Sequence, residues 1–120
     1  MKEHKKISSS TKSGSSHWIL QRISAIVLIP LVIWLALSAL HIAKDPTYMS
    51  IFFAYPFNTI AAILFALFSL YHGSVGLQVV FEDYVSNKGK RFFYITLVNL
   101  ISIVTFVATL VAILRLHLVG

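Results

Sequence analysis

Residues 23–43 read ISAIVLIPLVIWLALSALHIA, twenty-one positions without a single Asp, Glu, Lys or Arg. At about 1.5 Å of rise per residue, a helix of that length crosses the ~30 Å hydrocarbon layer of a bilayer. Only Ser24, Pro30, Ser38 and His41 interrupt the apolar run. Working outward, two more stretches have the same character: the uncharged region from about Asn58 to Phe81, and Phe92 to Leu114. Backbone amides in lipid must be bonded internally, and three strands cannot close a barrel, so each stretch is expected as a helix. The expected helices cover about 19–43, 58–84 and 91–116, with Pro30 kinking or loosening the first.

Composition agrees with an all-α membrane protein of three transmembrane helices. Of 120 residues, 58% are apolar and 12% are charged, against about 25% charged in a typical soluble domain. The mean hydropathy is +0.82. With no cysteine, the chain can form no disulfide, no cysteine-ligated iron–sulfur cluster and no thiolate haem ligand. A pI near 9.9 raises the question of nucleic acid, but here the basic residues flank apolar segments instead of forming a patch on a folded surface. No nucleic-acid partner is expected, and membrane lipid is. Residues 1–16, MKEHKKISSSTKSGSS, are read as a flexible, basic, Ser-rich tail ahead of a 17–120 membrane unit. This stretch lacks the apolar core and cleavage site of a secretory signal, and with few Arg and a Glu3 it makes a weak presequence.

Charge asymmetry sets an expected orientation. Lys2, Lys5, Lys6, Lys12 and Arg22 precede the first helix, and Lys88, Lys90 and Arg91 lie between the second and third, whereas Lys44 and Arg115 stand alone at the opposite ends. Eight against two puts the N-terminus inside, in cytoplasm or matrix, and the C-terminus outside. Trp18, Tyr84, Phe92, Phe93 and Tyr94 are then read as the inner aromatic belt, with Tyr48 and Tyr55 in the outer loop. No internal repeat is visible, and three helices leave no room for the paired halves of most transporters.

Inside the apolar frame His72 is the informative residue. It lies nine positions from Phe81, about 14 Å by helix rise, which is close to the bilayer midplane. An ionisable group at that depth is costly and faces a partner helix, a cavity or a cofactor. Ser69, Gly73 and Gly76 surround it, leaving the helix surface bare enough for a flat macrocycle or a closely packed helix. Two readings therefore stand: a cofactor ligand, or a polar link across a small-residue seam. Under the first, a six-coordinate b-type haem needs a second ligand, and His4, His17, His41 and His117 do not share this depth. That ligand would come from another chain. At the inner end of the same helix, Asp83 follows His72 by eleven residues and faces nearly the same way, with Tyr84 beside it. The pair suits a quinone carbonyl, or simply ends the helix at the membrane surface. Arg22 opens the first helix and suits a cofactor propionate, a lipid phosphate or a plain inside-positive anchor. Ser24 and Ser38 are read as helix-packing positions.

The run His72-Gly73-Ser74-Val75-Gly76-Leu77-Gln78-Val79-Val80-Phe81-Glu82-Asp83-Tyr84-Val85 resembles the second-helix signature of the small hydrophobic membrane anchors of succinate dehydrogenase (complex II), with H-x-x-x-G and D-Y elements. The segment His17-Trp18-x-x-Gln21-Arg22-x-Ser24-Ala25 is similar to the start of that family's first helix, so the resemblance covers residues 15–120. It implies that His72 is an axial ligand of haem b, the other being a His of the companion cytochrome b-type anchor. It further implies that Tyr84 hydrogen-bonds ubiquinone, that Asp83 supports that site, and that Arg22 lies near the haem propionates and quinone pocket. The implied partners are a flavoprotein subunit, an iron–sulfur subunit and the companion anchor, in a bacterial inner membrane or the mitochondrial one. Alone the chain holds no flavin or cluster motif and is non-catalytic. A quinol:fumarate reductase anchor is the nearest rival. A small transporter is the more distant one, and none of Glu3, Asp45, Glu82 or Asp83 lies within an apolar span to serve it.

Overall fold

The computed structural model describes the backbone of residues 2–119 and the side chains of residues 16–119. Four helices follow in order: α1 (Lys2–Lys44), α2 (Tyr48–Ala54), α3 (Pro56–Tyr84) and α4 (Lys88–Val119). Ser16–Lys44, Pro56–Tyr84 and Lys88–Val119 are each long and apolar enough to cross a membrane. The all-α, three-span architecture expected from the sequence is therefore the one observed. The flexible tail expected over residues 1–16 concerns, up to residue 15, side chains outside the described residues. Pro30 stays inside α1, which continues past it.

Local chemistry explains the boundaries. Asp45 Oδ1 accepts from the Thr47 amide and hydroxyl, at 3.2 and 2.6 Å, an Asx turn that stops α1 and turns the chain into α2. Tyr55 is held extended, at φ −79° and ψ 117°, as a residue before proline prefers. Pro56 then opens α3 at the position where its missing N–H costs nothing. Asn87 caps α4: its Oδ1 accepts from the Lys90 amide at 3.0 Å. That cap explains why α4 begins at Lys88 and not at the expected 91.

Helix α3 is the centre of the bundle, packed by α1 on one side and α4 on the other; among the described residues α1 and α4 do not meet. Most of what is buried is small: Ala61, Ala62, Ala66 and Thr59 on α3 and Ser24 on α1, with Phe52 and Ile113 the large exceptions. Small residues let helix backbones approach closely where lipid offers no hydrophobic drive. Large apolar side chains such as Ile26, Leu37, Ile101 and Val104 are instead exposed, as lipid-facing groups must be. Ser74 and Ser102 join α3 to α4 through a 2.6 Å hydroxyl pair. Phe81 and Tyr94 stack nearby at 5.5 Å between ring centroids.

Helix α2 is a feature the sequence reading placed in a loop. It lies over the end of the bundle, with Phe52 buried and stacked 5.5 Å from Trp34, and with Tyr48 4.0 Å from His41. Its last carbonyls lack partners within so short a helix. Asn58 Nδ2 donates to Phe52 O at 3.1 Å. Thr59 Oγ1 and His117 Nδ1 both donate to Phe53 O at 2.7 Å. His117, which the sequence marked only as the end of the last helix, thus ties α4 to α2.

Because two donors share the Phe53 carbonyl, Thr59→Val and His117→Ala should each lower stability by about 1 kcal/mol, the scale of a membrane interhelical hydrogen bond. The double variant should lose more than the sum, since only then is the carbonyl orphaned. Thermal unfolding of the four forms in detergent measures this.

Candidate cofactor site

His72 stands in the middle of α3 and is half-buried against α1. Its Nδ1 lies 3.1 Å from Ser24 Oγ. Ser24 is the most completely buried side chain described, at 1% exposure, and its hydroxyl donates to Gln21 O at 2.7 Å. A hydroxyl has one proton. Where that proton is given to the Gln21 carbonyl, Nδ1–H donates to Ser24 Oγ and the lone pair of Nε2 is free; the two bond lengths fit this arrangement.

Trp18, Gln21, Arg22, Ala25 and His72 line one pocket of about 330 Å³. The Arg22 guanidinium lies 4.7 Å above the Trp18 ring, a cation–π stack that steers its charge. The Ser24–His72 contact puts Arg22 only two residues, about 3 Å of helix rise, from the His72 level, so the structure brings together the Arg22 and His72 that the sequence reading singled out separately. Trp18 likewise belongs to the pocket wall and not to a belt level with Tyr84, which is twelve residues or about 18 Å further along α3. The reason is stagger. Helix α1 is shifted along α3, so its Trp18–Ser24 segment meets the middle of α3.

The stripe Ala62, Ala66, Ser69, Gly73 and Gly76 follows one side of α3. Ala62 and Ala66 are buried within the chain. A Cβ added at Gly73 or Gly76 would meet nothing within 4 Å. The stripe therefore packs intramolecularly at one end and is open beside His72.

Asp83 and Tyr84 lie at the C-terminus of α3, both exposed, Tyr84 to 84%. Neither joins the His72 pocket. The neighbouring Glu82 accepts from Gln78 Nε2 at 3.0 Å. Ser38, read as a packing position, bonds its own helix at Trp34 O, 2.7 Å away. A larger apolar groove of about 360 Å³ between α3 and α4 holds neither a histidine nor a charged side chain.

Among the described residues no three His, Cys, Asp or Glu come together as a metal cage. The donor set suits instead a group that takes one nitrogen from this chain and brings its other ligands with it. A free Nε2, a bare glycine surface and an adjacent guanidinium fit an iron macrocycle with acidic substituents.

Fold and site together define a multi-pass, three-helix membrane anchor with one imidazole presented inside its apolar layer. Residues 1–112 match the family model described as succinate dehydrogenase/fumarate reductase transmembrane subunit, and the chain belongs to that family. It is 42% identical over 105 residues to the succinate dehydrogenase hydrophobic membrane anchor subunit of Rickettsia bellii, covering 87% of this chain and 84% of the relative. The corresponding subunit of Rickettsia conorii is 39% identical, covering 89% and 86%. The succinate dehydrogenase membrane anchor subunit of Reclinomonas americana is 36% identical, covering 78% and 81%.

Since Gly76 has open space around it, Gly76→Leu should leave the helicity of the isolated chain in detergent unchanged or slightly higher. The same substitution should abolish association with whatever packs on that stripe. Circular dichroism and co-purification from the native membrane separate the two effects.

Proposed function

We propose that the chain is the anchor subunit of a succinate:ubiquinone oxidoreductase, contributing one axial ligand of haem b and one wall of the ubiquinone-reduction site. The observation that carries this reading is His72 with its Nδ1 3.1 Å from Ser24 Oγ, lining one pocket together with Arg22. His72 Nε2 would bind the iron, and Arg22 would neutralise the propionates. When bound, haem b supplies a one-electron redox centre between the soluble subunits and the membrane. Gly73 and Gly76 would admit the macrocycle and the companion anchor, which would supply the iron's other ligand from a histidine of its own.

At the end of α3, the Tyr84 phenol would donate a hydrogen bond to a ubiquinone carbonyl, and Asp83 would support that site and its proton supply. Quinone reduction consumes two electrons and two protons, so a donor and a carboxylate at the membrane surface suit it. Electrons would come from succinate oxidation in a flavoprotein subunit, through an iron–sulfur subunit seated on the anchors. The basic residues Lys2, Lys5, Lys6, Lys12, Lys88, Lys90 and Arg91 on one side, against Lys44 and Arg115 on the other, support an inside N-terminus, and the Rickettsia relatives support a bacterial inner membrane. Their names also favour succinate oxidation over fumarate reduction as the working direction.

His72→Ala, expressed with its partners, should lose or strongly perturb the b-type haem absorbance; an unchanged spectrum at normal haem content contradicts the ligand assignment. Tyr84→Phe should impair ubiquinone reduction while sparing succinate oxidation by an artificial dye acceptor. Equal loss of both activities would indicate an assembly role for Tyr84.

A further inference from the structure

We propose that Ser24 is the positioning residue of the His72 ligand: its hydroxyl, pinned by the Gln21 carbonyl, turns the imidazole so that Nε2 faces the pocket. This deepens the haem reading and rests on it.

Three observations carry the inference. First, the two contact lengths sort by chemistry: 2.7 Å from Ser24 Oγ to Gln21 O and 3.1 Å to His72 Nδ1 match an O–H···O and an N–H···O bond respectively. Second, at 1% exposure Ser24 admits no water to compete for either bond. Third, Ser24 and Arg22 ride the same turn of α1, and Arg22 lines the pocket with His72. One helix turn therefore orients the ring and carries the neighbouring positive charge.

Metal-ligating histidines generally donate their second N–H to an oxygen that fixes ring orientation and strengthens the ligand. Here that oxygen belongs to a neutral hydroxyl, and its own donation to a carbonyl makes it a better acceptor. The result is a neutral imidazole whose donation to iron is raised modestly, which favours the ferric form. Deleting the hydroxyl should therefore move the haem midpoint potential upward and loosen the haem.

The test uses the complete complex purified from membranes, comparing the parent with Ser24→Ala, Ser24→Thr and His72→Ala. Haem content, midpoint potential and the rate of haem loss to excess apomyoglobin are read for each. Ser24→Ala should retain haem, shift the potential positive and lose haem about tenfold faster, the lower end of what such outer partners contribute to metal affinity. Ser24→Thr, which keeps the hydroxyl, should match the parent. A Ser24→Ala complex identical to the parent in potential and loss rate overturns the proposal, as does equal haem loss from the Ala and Thr variants, which would make side-chain volume the cause. Parental haem in His72→Ala would overturn the underlying ligand reading instead.

Discussion

An imidazole in the middle of an apolar helix must find a hydrogen-bond partner, and in this protein it finds one side chain, Ser24 of α1. Lipid offers no water to satisfy the ring, so this contact fixes how α1 and α3 slide past one another. The level it sets is unusual. It brings the polar part of α1 around Trp18, Gln21 and Arg22 alongside the stretch of α3 that holds His72 and its two glycines. A charge in that place is costly without an anion or cavity to receive it, and Arg22, its guanidinium 4.7 Å above the Trp18 ring, lines the pocket beside His72.

The rest of the bundle is built to leave that place open. Its interior is mostly Ala, Ser and Thr, with Phe52 and Ile113 the large exceptions, so the helices are joined by close approach and by a few hydroxyl bonds, Ser74 to Ser102 between α3 and α4 and the Thr59–Phe53–His117 clasp over α2. The clasp closes one end of the bundle. Along α3, the small-residue stripe is covered where Ala62 and Ala66 lie and uncovered at Gly73 and Gly76. A chain that needed only to be stable alone would fill that surface. A half-site that receives a macrocycle and a second anchor has to keep it bare.

Much of this was legible in the sequence because the bilayer imposes a simple rule: a charge-free run near twenty residues long is a helix. The three spans and the intramembrane His72 with its glycines follow from counting residues, whereas the second helix, expected from 58, begins at Pro56. What counting could not supply was relative position. Ser24 looks like any helix serine until its neighbour is known, and Arg22 looks like the edge of a span because charges usually are. Only the lateral contact reveals the stagger that moves Arg22 and Trp18 into the pocket. Helix α2 escaped for a different reason: seven residues carry too little periodicity to separate a short helix from an apolar loop, and its stability comes from Asn58, Thr59 and His117, all outside it. The Asn87 cap is a local signal that the residue type does announce.

Membership in the succinate dehydrogenase/fumarate reductase transmembrane family fits this construction, in which no single anchor holds a whole site. In the proposed reading His72 would supply half of an axial pair, and Asp83 and Tyr84 stand exposed at the end of α3, outside the His72 pocket. The most direct measurement of the central claim is an experimental density map of the whole complex from its native membrane. The map should show a macrocycle over Gly73 and Gly76, with iron bonded to His72 Nε2 and Nδ1 turned to Ser24. A protein helix packed against His72 with no macrocycle between them, or iron bonded elsewhere, would contradict the assignment.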